Sequence, residues 1–265
     1  IRAGDRILLT EIEHHSNLVP WQMIAKERGA ELVYVPLRED EASLDLDALD
    51  GLMDSRVRLM AFTHISNALG IVNPVATICA KARQRGIVTV VDGAQSIGHL
   101  PVDVQELDCD FFAFGAHKAV GPTGFGALYG RAELLESMPP YRGGGEMIES
   151  VSYFDATYNV IPHRFEAGTP NIAGAVGWNA AMEFLEGVGR DAIAAHDQQL
   201  ARYAYDALGR IPGIRRFGPS GARSGVVSFR IEGAHALDLV GFCDARGLAL
   251  RGGHHCNQPL MNKLG

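Results

Sequence analysis

A lysine and an aspartate in this chain are placed where they could act together on an amino group. Asp92 follows an apolar run at residues 87–91 and precedes a glycine, so its carboxylate either caps the next turn or lies on the floor of a pocket, near a cationic ring nitrogen. Lys118 lies between an apolar run at 110–114 and the turn GPTG at 121–124, and partial burial there would favour the neutral amine that Schiff-base formation needs. Although a lone lysine is usually a solvated surface residue, the two together are the arrangement that binds pyridoxal phosphate (PLP).

Two histidine-rich segments offer a ring for stacking and a thiol for nucleophilic attack. His14 and His15 are adjacent, so on an extended segment one could lie flat on a cofactor ring while the other packs or faces water. Cys256 follows the string GGHH at 252–255, and neighbouring imidazoles favour the thiolate, although an incidental surface cysteine fits the string equally well. We predict no metal site at either segment, because adjacent ligands seldom reach one tetrahedral centre.

Alternating apolar strands and amphipathic helices predict the α/β fold that would position these residues. The continuous apolar strands indicate a largely parallel sheet that is sandwiched by helices. Ligands of such sheets lie outside the carboxyl ends of the strands, which is where His14, Asn67, Asp92, Gln95 and Lys118 fall. Strands are predicted at 6–10, 31–35, 57–63, 87–91, 110–114 and 125–129, and helices at 17–28, 45–53, 74–86, 171–188 and 190–208.

The residues after Pro212 predict a second, smaller α/β unit. The pattern there is strand at 225–231, helix at 236–246 and strand at 248–251, after which the sequence ends. We therefore predict a large PLP-binding domain at 1–188 and an incomplete small domain at 189–265. Because the sequence opens at Ile1 without a methionine, we expect an internal fragment that lacks both termini.

Composition and charge exclude several classes of protein. The 265 residues carry 31 acidic and 24 basic side chains, a net charge of −7 with no basic cluster, so no nucleic-acid partner is predicted. No apolar run has the length of a membrane span, so no membrane partner is predicted either. The four cysteines are scattered without a CxxC pair, which indicates a reducing, cytoplasmic setting rather than a disulfide framework.

Seven short strings occur in an order that resembles one enzyme family. The chain is similar to the Suf-type (group II) cysteine desulfurases, within the aminotransferase class V group of fold-type I PLP enzymes. The resemblance implies a mostly parallel sheet of the seven-stranded type, covered by helices. The strings are EHHSNLVPWQ (13–22), THISNALG (63–70), VDGAQ (91–95), HKAVGPTG (117–124), GGGEMI (143–148), EAGTPN (166–171) and RGGHHC (251–256).

The resemblance also implies a role for each candidate residue. Lys118 would form the Schiff base with PLP, Asp92 would pair with the pyridine nitrogen and His14 would stack on the ring. Gln95 and Asn67 would bond the phenolic oxygen, with Asn67 also near the substrate carboxylate. His117 would hold the phosphate, Thr169 would reach the phosphate of the partner subunit in a homodimer, Cys256 would accept sulfur, and Arg251 would lie near its loop.

The implied activity is conversion of L-cysteine to L-alanine, with sulfur passed to Cys256 as a persulfide and on to an acceptor protein, for iron–sulfur cluster assembly. The alternatives are a selenocysteine lyase, another class V enzyme such as an epimerase or a kynureninase-like lyase, and a non-catalytic scaffold of the same fold. The presence of Lys118 and Asp92 disfavours the scaffold, and the His-His-Cys string disfavours the other class V enzymes.

The sequence departs from the family at its phosphate site. Gly115 stands where the family usually has a phosphate-binding serine, so we expect a backbone N–H to substitute and the phosphate to be held less tightly. The family's N-terminal phosphate-binding threonine would precede Ile1, and its carboxylate-binding arginine would follow Gly265. We therefore expect the fragment to bind the cofactor poorly and not to turn over.

Overall fold

A mostly parallel six-stranded sheet forms the centre of the computed structural model, which describes residues 1–38, 40 and 43–265. The strand order is β2-β1-β3-β4-β5-β6, and only β6 runs antiparallel to its neighbour. The expected α/β class is confirmed, with six strands in the sheet of the described residues instead of the seven-stranded type. The strands are β1 (Arg6–Thr10), β2 (Glu31–Val35), β3 (Val57–Thr63), β4 (Val88–Asp92), β5 (Phe111–Gly115) and β6 (Gly126–Gly130).

Helices cover both faces of this sheet. Ile7 and Leu9 of β1 pack on one face with Trp21, whereas Leu8 packs on the other face with Leu49 and other buried side chains. Burial on both faces explains why the strands are continuously apolar. The helices are α1 (Val19–Arg28), α2 (Leu46–Leu52), α3 (Val75–Arg83), α4 (Val104–Leu107), α5 (Ala132–Ser137), α6 (Ile172–Val188), α7 (Arg190–Leu208), α8 (Ala236–Asp244) and α9 (Gln258–Leu264).

Local sequence signals set several helix boundaries. Asp45 Oδ1 accepts hydrogen bonds from the N–H groups of Asp47 and Ala48, which makes Asp45 the N-cap of α2. Asn171 caps α6 in the same way through Gly174 N–H at 2.9 Å. The helix predicted from residue 17 instead begins at Val19, because residues His15–Asn17 form a separate 3₁₀ turn.

The chain changes direction between β1 and β3, and this is where the sheet can bind a ligand. From β1 the chain crosses to the edge strand β2 and returns to β3 on the opposite side of β1. The loops after β1 and β3 therefore diverge and leave a crevice at the carboxyl ends of the strands. These loops are residues 11–17 and 64–70, which contain His14 and Asn67.

Two pairs of short antiparallel strands lie outside the central sheet, and the residues after Pro212 contain the second pair together with α8 and α9. One hairpin consists of β7 (Ile148–Val151) and β8 (Ala156–Tyr158), and the other pair is β9 (Ile214–Phe217) with β10 (Ser228–Ile231). The strand predicted at 248–251 is wrong: those residues are extended or irregular, and no described strand pairs with them. A strand needs a neighbour to satisfy its N–H and C=O groups.

The division at residue 188 stays a prediction. Leu260 and Leu264 of α9 belong to the same buried cluster as Leu8 and Phe62 of the central sheet. The C-terminal helix is therefore packed on the large sheet, which brings the Cys256 loop close to the strand ends.

Candidate active site

A cavity of ≈ 1150 Å³ lies at the carboxyl ends of the central strands. It has room for a cofactor and a small substrate together. Six of the predicted site residues line it, and they come from the segments that follow β1, β3, β4 and β5. These residues are His14, Asn67, Asp92, Gln95, His117 and Lys118.

Asp92 caps the turn after β4 and also lines the cavity. It is the last residue of β4, and its Oδ1 accepts a hydrogen bond from Ala94 N–H at 2.9 Å, so it caps the following turn. The same carboxylate lines the cavity. Its position is held because its backbone oxygen accepts from His64 N–H at 2.9 Å.

Lys118 is half-buried at the end of a 3₁₀ turn, Ala116–Lys118, that follows β5 directly. The turn after β4 packs closely on it: a Cβ atom at Gly98 would lie 2.4 Å from the Lys118 carbonyl oxygen. A glycine is therefore required at position 98 for the two loops to approach, and this contact holds the backbone at Lys118.

His14 is held as a neutral ring in the cavity wall. Its Nδ1 accepts a hydrogen bond from Ser16 N–H at 3.1 Å, so the hydrogen of the neutral ring is on Nε2. Burial lowers the pKa of His14, and the positive charge of Lys118 lowers it further. A neutral imidazole beside an amine suits stacking on a flat aromatic ligand.

Glu13 is a buried carboxyl group that the sequence analysis did not single out. It is 3% exposed, and it accepts hydrogen bonds from Thr10 at the end of β1, Thr63 N–H at the end of β3 and Asn17 Nδ2. Burial raises the pKa of Glu13 to about 8. Glu13 therefore ties together the strand ends on either side of the crevice, directly beside His14.

The phosphate end of the predicted site contains Gly115 and His117. Gly115 has φ −119°, a conformation that any residue adopts, so the backbone does not require glycine here. A Cβ atom at this position would meet His117 Nδ1 at 3.2 Å, which is tight but open to adjustment. The serine of the family could therefore be accommodated by a small shift of the His117 ring.

Cys256 lies on an exposed loop outside the cavity lining, but the loop is bonded to a cavity residue. Asn67 Nδ2 donates to the His255 carbonyl oxygen at 2.8 Å, and Asn67 Oδ1 accepts from Asn257 Nδ2 at 3.0 Å. His255 and Cys256 both have positive φ, 52° and 57°. The loop thus bends sharply at the thiol and is anchored on both sides of it.

The structure does not bring Thr169 or Arg251 into the cavity. Thr169 is exposed, and neither residue is among those that line the cavity wall. Arg251 is exposed near the thiol loop, where its positive charge helps to lower the pKa of His14 and of His255. Their roles stay predictions.

Cys256 is the most accessible of the four thiols. Burial raises the pKa of Cys79 to about 12 and that of Cys109 to about 11, which keeps both thiols protonated and unreactive. Cys243 is half-buried in α8, and Cys256 is exposed. All four are free cysteines.

Three residues near the site escaped the sequence analysis or received no role there: Glu13, His15 and Asn257. Glu13 and His15 flank His14 in a polar segment that follows a buried strand. This position is a signal that could have identified them as candidate site residues. Asn257 precedes Gln-Pro at the start of α9, a pattern typical of a helix N-terminus. Their long-range partners are not visible in the sequence.

The residues in the cavity fit PLP. An aspartate, a half-buried lysine and a neutral histidine face one space, with two amide side chains and a second histidine around them. Among the described residues no group of three or more His, Cys, Asp and Glu side chains could hold a metal ion. No helix in the described ranges has the length and apolar character needed to cross a membrane.

Comparisons with known proteins find matches over the whole chain. The aminotransferase class-V family model matches residues 1–265. A cysteine desulfurase of Pectobacterium carotovorum is 50% identical over 266 residues, which cover 100% of this chain and 65% of that protein. The chain therefore spans about two thirds of the length of this curated relative.

Two solved structures are similar as well. The cysteine desulfurase CsdA (S-sulfonic acid) from Escherichia coli has a TM-score of 0.95 and 42% identity, covering 100% of this chain and 66% of that one. A mutant of C-DES with glycine covalently linked to its PLP cofactor has a TM-score of 0.85 and 25% identity, covering 99% of this chain and 74% of the other.

Proposed function

Because the chain belongs to the aminotransferase class-V family, we propose that the protein is a PLP-dependent cysteine desulfurase that converts L-cysteine to L-alanine. The observation that carries the proposal is the cavity that gathers Lys118, Asp92 and His14, with the Cys256 loop bonded to Asn67 in its wall. The name of the Pectobacterium relative supports the same activity.

The cavity residues divide the work of binding the cofactor. Lys118 would supply the amine that attaches PLP, and Asp92 would hold a proton on the ring nitrogen. His14 would cover one face of the ring, Gln95 and Asn67 would bond the phenolic oxygen, and His117 would hold the phosphate. When bound, PLP supplies an electron-accepting ring conjugated to the amino nitrogen of the substrate.

The remaining steps use this chain's own proton and sulfur carriers. Once the substrate amine has displaced it, the Lys118 amine removes the Cα proton. The Cys256 thiolate then forms an S–S bond to the substrate sulfur while the substrate C–S bond breaks, and the bonding electrons stay on the carbon fragment. That fragment takes up a proton and leaves as alanine, and Cys256 is left as a persulfide.

The test is to give L-cysteine to the PLP-loaded protein, quantify alanine and look for one extra sulfur atom on Cys256 by mass spectrometry. Native protein should give both products. Cys256→Ala should lose alanine formation from L-cysteine at least tenfold, whereas Cys243→Ala, the matched control, should match the native rate. Alanine without a persulfide would point to a lyase, and no alanine despite cofactor binding would refute the substrate assignment.

The same variants separate the proposal from the selenocysteine lyase alternative. Both substrates have one shape, and both reactions use Lys118 and Asp92. Because selenium leaves carbon more readily, Cys256→Ala should still turn over L-selenocysteine while L-cysteine turnover collapses. If Cys256→Ala still turns over both substrates, the role proposed for Cys256 is wrong.

A non-catalytic scaffold is tested by the visible absorbance of the Schiff base. The PLP-loaded protein should show this band, and Lys118→Ala should abolish it. The control is Lys81→Ala, which removes a lysine of α3 that pairs with Asp50 of α2 and does not line the cavity. This variant should keep the band. A band that persists without Lys118 would overturn its assignment.

The finer features of the proposal concern branch, partners and location. We place the protein in the Suf-type branch on its RGGHHC string at 251–256, with persulfide passing to an acceptor protein for iron–sulfur cluster assembly. Four free cysteines support a cytoplasmic location. Exposed apolar residues on the β7–β8 hairpin, Tyr153 and Phe154 among them, support a homodimer in which Thr169 reaches the partner's phosphate.

A further inference from the structure

The segment of residues 11–17 contacts the cavity and the C-terminal residues at the same time. His14 faces the cavity. Its neighbour His15 contacts the Cys256 loop, and Glu11 pairs with Lys263 of α9. The loop that follows β1 therefore links the wall of the cavity to the loop that carries Cys256.

His15 makes two hydrogen bonds to the chain at and directly after Cys256. Its backbone N–H donates to the Cys256 carbonyl oxygen at 2.7 Å, and its Nε2 accepts from Gln258 N–H at 3.0 Å. Gln258 is the first residue of α9, where N–H groups have no partner within the helix. The ring of His15 thus caps α9, and α9 is itself fixed to the core through Leu260.

Asn67 holds the same loop from the cavity side. Its amide bonds the His255 carbonyl oxygen and the Asn257 side chain, which flank Cys256. A primary amide has two N–H donors, so Nδ2 keeps one for a ligand in the cavity. The side-chain amide of Asn67 therefore lines the cavity and also hydrogen-bonds the loop that carries Cys256.

The loop needs such external contacts because its own backbone is unfavourable. Two consecutive residues with side chains, His255 and Cys256, adopt the left-handed conformation. This conformation is costly for residues other than glycine and persists only where the surroundings impose it. Asn67 and His15 hold the carbonyl oxygens of these two residues, and they also bond Asn257 and Gln258, which follow directly.

We propose that His15 and Asn67 are positioning residues that hold Cys256 in a strained loop conformation beside the cavity. Neither the contacts nor their effect on the loop depends on the reaction. Only the consequence for sulfur transfer rests on the proposed function.

The test compares amide hydrogen exchange and persulfide formation in His15 variants of the PLP-loaded protein. His15→Leu removes the Nε2 acceptor, and His15→Gln restores an acceptor at similar reach. Loss of one hydrogen bond should speed exchange at residues 256–259 about tenfold in His15→Leu. Exchange in His15→Gln and in the surface control His196→Leu should stay near native.

The second measurement is the rate at which Cys256 gains sulfur in a single turnover with L-cysteine. It should fall about tenfold in His15→Leu and recover in His15→Gln, while the visible band of the bound cofactor stays unchanged in both. Native exchange at 256–259 in His15→Leu, or faster exchange throughout the central strands, would overturn the inference. If the native protein forms no persulfide, the proposed function fails. The exchange measurement still decides whether His15 holds the Cys256 loop in place.

Discussion

The carboxyl group of Glu13 is buried between the ends of β1 and β3, and its titration should be visible in stability. Its pKa is raised from 4.5 to about 8 by burial, so between these values the folded state binds a proton that the unfolded state lacks. Stability therefore falls as pH rises through this window, at up to about 1.4 kcal/mol per pH unit. Above pH 6.5 an unperturbed histidine is mostly neutral, which leaves Glu13 as the group to follow.

We expect the native chain to lose about 1.5 kcal/mol more than Glu13→Gln between pH 6.5 and 8. The glutamine is neutral at both values, so its variant lacks this contribution. Urea unfolding of the cofactor-free chain at the two pH values measures the difference. The exposed Glu27→Gln should behave like the native chain, and an equal loss in Glu13→Gln would disprove the raised pKa.

Gly115 offers a prediction about phosphate binding. Since its backbone φ suits any residue and a Cβ would meet only the His117 ring, Gly115→Ser should fold normally. The added hydroxyl should tighten PLP binding about tenfold by donating one hydrogen bond to a charged group. Titration of apoprotein with PLP measures this, with Gly115→Ala as the variant that adds Cβ alone. Equal affinities for the serine and alanine variants would show that the hydroxyl does not contact the phosphate.

At the scale of the secondary-structure elements, the loops that follow β4 and β5 can approach each other closely because residue 98 is a glycine. A methyl group there would lie 2.4 Å from the Lys118 carbonyl oxygen, so Gly98→Ala must displace one of the two loops. We expect PLP affinity to fall at least tenfold with helix and strand content retained. Gly51→Ala in α2, where a Cβ meets nothing within 4 Å, is the control. Undiminished affinity in Gly98→Ala would mean that the loop contact does not set the position of Lys118.

The elements that the sequence predicted best are those whose pattern is set by burial alone. β1, β2 and β3 have the predicted bounds because each is a mainly apolar, β-branched or aromatic run between turns. The strand expected at 248–251 has an apolar pattern too, but a strand also needs a neighbour, and pairing is a property of the fold. The short elements α4, α9 and the β7–β8 hairpin were missed because stretches of three to seven residues are too short to show a clear hydrophobic period.

The site residues that were predicted are those that a local sequence pattern reveals, and the residues that were missed depend on contacts that only the fold creates. Asp92, Asn67 and Lys118 follow strands, so topology alone predicts that they converge, and the cavity confirms it. Glu13 and His15 act through partners 50 and 243 residues away, which no local pattern contains.

For the whole molecule, the proposed homodimer makes the exposed hairpin the surface to test. Tyr153 and Phe154 are almost fully exposed at the tip of the β7–β8 hairpin, with Val151 beside them. Exposed apolar patches of this kind mark protein interfaces. Phe154→Lys should therefore weaken dimerisation at least tenfold in sedimentation equilibrium. Met23→Lys, on the exposed side of α1, should leave it unchanged, and a stable dimer in Phe154→Lys would place the interface elsewhere.

The hydrogen bonds that hold the Cys256 loop also set an order of events during synthesis. They join residues 243 and 190 positions apart, whereas every strand of the central sheet precedes residue 131. At roughly 5–20 residues per second, a ribosome finishes the sheet about 6–25 s before it reaches Cys256. The strands whose ends line the cavity are thus synthesised before the reactive sulfur, and the thiol is the last part of the proposed site to leave the ribosome.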